Sequence, residues 1–520
     1  MADHYEVWSY TPGKFRELVA RKPEVAPHIV EGKLHSVYFD EYFREIGAKT
    51  IVYEKEYVDR DYLEDFAGYY VRCFHPYAHL CARIHFFGME FGEDDFAKLL
   101  RSDEGPLSQE NLQREYLGFI VVKPLPRTIF GRTCLRTYPD DCGRRCFPIT
   151  REYDLNLFGM RLTVNTLAFQ EQDRAVAACA TSALWSAFQG TGKLFHHSIP
   201  SPVEITRAAA KYSPIESRTF PNRGLTSAQM SYAIREVGLE PVFVGAQDSR
   251  IFKSTLYAYL RGRIPVLLVI YLCDMAKNPP ELMNQKHAVA VTGFSLGTPD
   301  PVPYAKTGFR SESSRIDKVY SHDDQVGPFA RMECDGLVVT LGGPVDFETL
   351  HTSWRGSDGK IGSARAIPDV LLIPVYHKIR IPFGTIEDTV IEFDDLVEAL
   401  RTNGLTGLNE RIRWDIYLCT SNDLKRELIA NTNLSSDVRH DLLTRNLPRF
   451  LWRATGRVGI TPLVDLLFDA TDIEQGLFFL RPIEYDQSLG TVIRQVASSP
   501  IQSHFQSSPV WRILDWYARN

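Results

Sequence analysis

Cys179, His287 and the acidic pair Asp323-Asp324 have the types and the chain order that nucleophilic catalysis requires. Such chemistry needs a thiolate, a base within hydrogen-bond reach, and a third group that orients the base. It also needs donors where an oxyanion will form. A thiol in the first turn of a helix meets the first requirement, because free backbone N–H groups and the helix dipole favour the anion. The run from Ala177 to Ala187, with Leu184, Trp185 and Phe188, has the propensity and spacing of a buried helix, and Cys179 stands where that helix should start. His287 opens the run His287-Ala-Val-Ala-Val-Thr-Gly-Phe294, which predicts a strand. Asp323 and Asp324 end a strand-like segment that begins at Lys318. Adjacent residues on an extended chain face opposite ways, so only one of the two can reach the histidine. Each residue also has an ordinary structural reading: a small buried thiol among alanines, a core histidine with its bonds satisfied, and carboxylates capping a turn.

The order of a Gln, a Cys on a helix, a His on a strand and an Asp at a strand end resembles the papain-like cysteine peptidases, most closely their bacteriocin-leader-processing branch. The resemblance covers roughly residues 165 to 340. His287-Ala-Val-Ala-Val looks like that branch's His-Ala-Val-Val strand, and Asp323-Asp-Gln-Val-Gly327 like its Asp-Pro-x-x-Gly turn. It implies Cys179 as nucleophile, His287 as general base and acid, Asp323 as orienting carboxylate with Asp324 as the alternative, and Gln172 as an oxyanion donor. Two departures stand out: Ala180-Thr181 follows the cysteine where the branch commonly has glycine, and the Gln172-to-Cys179 spacing is one residue longer than usual. The branch's leader specificity accompanies a transporter, which this sequence lacks, so leader processing is not expected.

The elements that must position these residues can be read from periodicity. Within the central segment, Gly224 to Gly238 predicts a helix with Thr226 or Ser227 as N-cap and Gly238 at its end, followed by strands at Pro241–Val244, around Val266, and from His287. Upstream, Thr50–Tyr57 and Leu117–Pro124 read as strands and Glu93–Leu100 as a short helix; Asp140 to Cys146 is turn-rich. Downstream, Ile412–Cys419, Phe450–Ala454 and Leu463–Ala470 read as strands, with a helix over Ser421–Ala430. The expected fold class is α+β, with three domains: 1–154 (α+β), 155–378 (papain-like, the Cys on a central helix and the His and Asp on an antiparallel sheet) and 379–520 (α+β).

Composition narrows the setting. A net charge of -6 on 520 residues supplies no general basic field, so nucleic acid is not indicated as a partner. The longest apolar run, Ile264–Cys273, is too short to cross a bilayer and no membrane association is expected. The amino terminus lacks a secretory pattern and the nine cysteines show no disulfide-framework spacing, which favours a cytoplasmic address.

Other clusters carry weaker chemistry. Cys73, His75, His79 and Cys81 offer four zinc-type donors in one stretch, against the reading of an aromatic-rich segment with incidental ligands. Cys142 and Cys146 flank two arginines, His196-His197 could line a substrate cleft, and Asp469 with Asp472 could hold a hard cation or simply make a turn. Arg445, Arg449, Arg453 and Arg457, interleaved with Phe450 and Trp452, could contact phosphate or an acidic peptide, or form a solvated face.

These observations together lead to an expected cysteine hydrolase that cleaves a peptide or isopeptide amide through a thioester, with a protein or peptide as partner and no cofactor. Glutamine deamidation or transglutaminase-like acyl transfer on the same residues, and a non-catalytic peptide-binding scaffold, are the alternatives. The oligomeric state is left open.

Overall fold

The computed structural model describes residues 4–173, 175–211, 219–220, 224–343, 345–473, 476 and 478–520. Met1 to Asp3, the start of the amino-terminal stretch read above for a secretory pattern, lie outside them. Helix accounts for 35% and strand for 31%, arranged as separate sheets and helices, so the chain is α+β. Among the described residues no helix is long and apolar enough to cross a membrane. The chain divides into two compact units, one of Met1–Gln247, Pro265–Ser295 and Lys318–Pro374, the other of Asp248–Ile264, Leu296–Asp317 and Val375–Asn520.

The first unit begins with a five-stranded antiparallel sheet, β1 (Tyr5–Ser9), β2 (Thr50–Tyr57), β3 (Cys81–Phe87), β4 (Tyr116–Val122) and β5 (Phe130–Leu135), paired in sequence order. Helix α1 (Leu34–Ile46) ends at Gly47, whose φ of 77° suits the left-handed turn that stops a helix. A hairpin of β6 (Arg151–Leu157) and β7 (Met160–Thr166) follows, then helices α2 (Cys179–Phe195), α3 (Pro202–Ala210) and α4 (Ser227–Glu236). Thr226 caps α4 through the N–H of Gln229, whose side chain returns the bond to Thr226.

The rest of this unit is a ring of strands. After β8 (Leu239–Gly245) come β9 (Val266–Asp274), β10 (Glu281–Leu296), β11 (Ile316–Asp323), β12 (Gly327–Glu333), β13 (Leu350–His351) and β14 (Ala364–Tyr376). They are joined in the order β9-β10-β11-β12-β13-β14, and β14 pairs back to β9 with Leu372 opposite Leu267, so six strands close on themselves; β8 adds to β14 outside the ring. β9 is apolar at almost every position because both of its faces are covered, Leu267 sharing a core with Trp185 and Phe188 of α2.

One hydrophobic core runs from Val52 and Phe119 in the first sheet, through Leu155 and Leu162 of the hairpin, to Trp185 and Phe188 of α2 and Leu267 and Leu372 of the ring. Residue 155 falls inside β6, and residues on both sides of it contribute to this core.

In the second unit, helices α5 (Ser249–Arg261) and α6 (Phe383–Thr402) accompany an antiparallel meander of β15 (Arg413–Thr420), β16 (Phe450–Val458), β17 (Thr461–Asp469) and β18 (Phe479–Glu484). Arg310–Ser311 joins the β15 edge in parallel. Helix α7 covers Ser421–Ala430, the span its sequence predicts.

Candidate active site

Cys179 is the first residue of α2. Ala178 before it is extended and offers no side-chain cap; the first intrahelical bond closes from Ser182 N–H to Ala178 O at 3.0 Å, so the amides of the first turn have no acceptor within the helix. The loop leading in is pinned by Asp173. Its Oδ1 accepts the Ala175 N–H at 2.7 Å, its backbone bridges Ala177, and its Oδ2 accepts the Tyr70 hydroxyl at 2.5 Å. Gln172, adjacent to that anchor, is half-buried and lines the same cavity as Cys179.

His287 lies on β10 opposite Ile270 of β9. Its Nε2 is hydrogen-bonded to Asp323 Oδ1 at 3.0 Å, and Asp323 Oδ1 also accepts the Gln325 N–H at 3.0 Å. The second oxygen, Oδ2, accepts the indole N–H of Trp354 at 2.8 Å, and the Trp354 ring meets the imidazole edge to face, centroids 4.9 Å apart. Burial alone would lower the His287 pKa, but the Asp323 charge, its hydrogen bond and an interaction with the Cys179 sulfur together hold it well above the usual histidine value. Asp323 shifts the other way: burial pushes it up, and the facing His287 and the bonds from Trp354 and Gln325 bring it below the usual carboxylate range. Each partner thus favours the charged form of the other.

Asp324 takes a different place. Its Oδ1 is 3.6 Å from His287 Nε2, buried and without a hydrogen-bond partner, while its Oδ2 accepts from Gln325 Nε2 at 2.8 Å. Burial pushes its pKa up to about 7; His287 opposes this and the Asp323 charge reinforces it. The shorter histidine bond belongs to Asp323.

Beside the triad candidates lies a cavity of about 930 Å³. Cys179, His287, Gln172 and Trp354 line it, and Leu225, Met230, Val269, Leu272 and Met283 give it an apolar wall. Such a mix of apolar lining and few convergent polar groups is usual for a ligand site. His287, Asp323 and Asp324 are also the group among the described residues whose ligand-type atoms lie close enough together to hold a metal ion.

The other sequence candidates fall elsewhere. Cys73, His75, His79 and Cys81 do not converge: Cys73 Sγ–H donates to Tyr69 O, the His75 and His79 rings pack on Tyr77 and Phe66, and Cys81 is buried in β3. The zinc reading is thereby corrected, because one extended stretch points its donors in separate directions. His197 bonds Thr191 Oγ1 at 2.9 Å and, with His196, terminates α2 away from the cavity. Cys142 is exposed, and Cys146 pairs opposite Phe294 of β10. Asp469 Oδ1 accepts from Thr471 N–H at 2.7 Å, a turn. The four arginines do not form one face, since Arg453 is buried and paired with Asp465 at 2.7 Å.

Trp354 is the site residue that sequence reasoning missed. It follows Asp323 by 31 positions on a segment without periodic signal, and only its place in a polar Gly- and Ser-rich loop, where a tryptophan is out of character, marks it. No protein-family model matches this chain, and a search of curated proteins finds no match.

Proposed function

We propose that the chain is a cysteine-dependent hydrolase with a papain-like centre, in which Cys179 attacks the carbonyl of a peptide or isopeptide amide. The observation that carries the reading is the His287–Asp323 bond of 3.0 Å at the border of the cavity that Cys179 also lines. A thiolate formed by proton transfer to His287 adds to the carbonyl carbon, and the N–H groups of the α2 first turn with the Gln172 amide receive the developing oxyanion. His287 then gives its proton to the departing amine, leaving a thioester. A water that loses its proton to His287 attacks that thioester, releases the acid and restores the thiol. Asp323 and Trp354 hold the ring in orientation throughout. A cavity of about 930 Å³ admits a peptide segment, and its apolar wall favours aliphatic side chains beside the scissile bond.

The test is competitive labelling of the native protein with a limiting thiol electrophile at about pH 6, where ordinary thiols are protonated, followed by peptide mapping. Cys179 is expected to react ahead of the exposed Cys142. Uniform labelling would favour the scaffold reading. Mass spectrometry of a protein substrate then separates cleavage, the outcome proposed, from a gain of about one mass unit by deamidation or a cross-link by acyl transfer.

A further inference from the structure

We propose that the second unit holds a binding site for a phosphate monoester group, built on a ladder of arginines across three strands. In the sheet register, Arg310 is the direct partner of Arg413, and Arg413 is the direct partner of Arg457. Directly opposed residues on adjacent strands leave the sheet on the same face about 5 Å apart. Like charges in that arrangement repel, so a sequence that keeps three cations in line benefits only if something neutralises them.

The protein itself does so incompletely. Arg310 reaches Glu410 only at 3.7 Å, and Arg413 reaches Asp300, a carboxylate 88% exposed, only at 3.7 Å. Arg413 Nε is buried without a hydrogen-bond partner, the Glu312 carboxylate lying 3.4 Å away. Among the described residues the Arg457 side chain has no ion pair or hydrogen bond. All three border a cavity of about 230 Å³, together with Arg411, which is committed to Asp394, Asp395 and the Thr307 carbonyl and so braces the wall. Three guanidinium forks around a pocket of that size suit a compact dianion with several acceptor oxygens, which a phosphate monoester supplies once its second proton has left near pH 6. This inference does not depend on the hydrolase reading.

The test is thermal unfolding and titration calorimetry of the full chain with inorganic phosphate, sulfate and sodium chloride at matched ionic strength, at pH 5.5 and 8. Phosphate is expected to raise the unfolding temperature, more at pH 8 than at pH 5.5, with sulfate weaker at pH 8. The variant Arg457→Gln should bind phosphate at least about tenfold more weakly. Without phosphate it should unfold at the same temperature as the parent or higher, because it relieves repulsion without breaking a bond. O-phosphoserine and a phosphoserine peptide, run in the same way, assign the source: tighter binding of the peptide marks a phosphorylated protein, and equal binding of all three marks the free phosphate group. No stabilisation beyond that by chloride, equal stabilisation by sulfate, or unchanged affinity in Arg457→Gln would overturn the proposal.

Discussion

Trp354 donates its indole N–H to Asp323 Oδ2 at 2.8 Å while its ring lies edge to face against His287. One side chain thus fixes the carboxylate and shields the imidazole that the carboxylate holds. Removing the donor and keeping the ring separates the two effects. Trp354→Phe is expected to lower kcat by about ten- to a hundredfold, the worth of a hydrogen bond to a charged acceptor, with KM little changed. A kcat equal to the parent's would leave Trp354 as packing alone.

In the proposed reaction the thiol and the histidine act together. Cys179→Ala should abolish turnover and His287→Gln should do nearly the same, and combining them should remove no further activity, because residues that act as a unit are not additive. Cys179→Ala should retain the parent's stability to within about 1 kcal/mol, since the sulfur is only half-buried. A folded Cys179→Ala protein with full hydrolysis of the same substrate would refute the proposed nucleophile.

Asp324 gives a pH signature with a definite sign. Its folded pKa of about 7 exceeds the unfolded carboxylate value, so the folded state binds the extra proton and loses stability as the pH rises between the two. Asp324→Asn lacks that dependence. Its stability relative to the parent should therefore grow from about pH 4 to about pH 7, by on the order of 2–4 kcal/mol, and stay level outside that window. Denaturant melts at several pH values measure it, and a flat difference would show that Asp324 ionises normally.

Gly327 lets α1 approach the turn that carries Asp323. Its φ is 154°, and a Cβ there would lie 2.3 Å from Tyr38 Cδ1, while the Tyr38 hydroxyl donates to Pro328 O. Gly327→Ala is expected to destabilise the fold by about 2–4 kcal/mol, and to cost less when made in a Tyr38→Ala background, because that substitution removes the ring atoms that clash. An equal cost of Gly327→Ala in both backgrounds would place the strain in the backbone instead.

Tyr70 is a positioning residue on the same reasoning. Tyr70→Phe frees Asp173 Oδ2 and loosens the loop that presents Gln172 and the start of α2. It should reduce kcat more than it raises KM, and leave the preference of the electrophile for Cys179 intact but slower.

Local features were legible in the residues because local physics decides them. The helix starting at Cys179, the capped helix after Thr226 and the α7 span follow from propensity and caps, and the apolar run around Val266 follows from its burial on both faces. Pairings between distant segments were not legible. Nothing within β9 or β14 announces that Leu267 will lie opposite Leu372, and adjacency in the chain could not show that Asp323 would take the 3.0 Å bond and Asp324 the 3.6 Å position. Turn-rich composition marks the loop before β6, but it carries no information on which cores fuse in space. Trp354 lay beyond reach for the same reason: its partner was chosen by a fold it does not itself specify.

Closure of the strand ring also orders events during synthesis. Cys179, His287 and Asp323 have all left the ribosome before Ala364–Tyr376 is made, yet until that strand arrives the ring stays open and β9, which sets His287 in register opposite Ile270, lacks its second neighbour. A chain interrupted near residue 360 would carry all three side chains and still lack the strand that closes the ring around them.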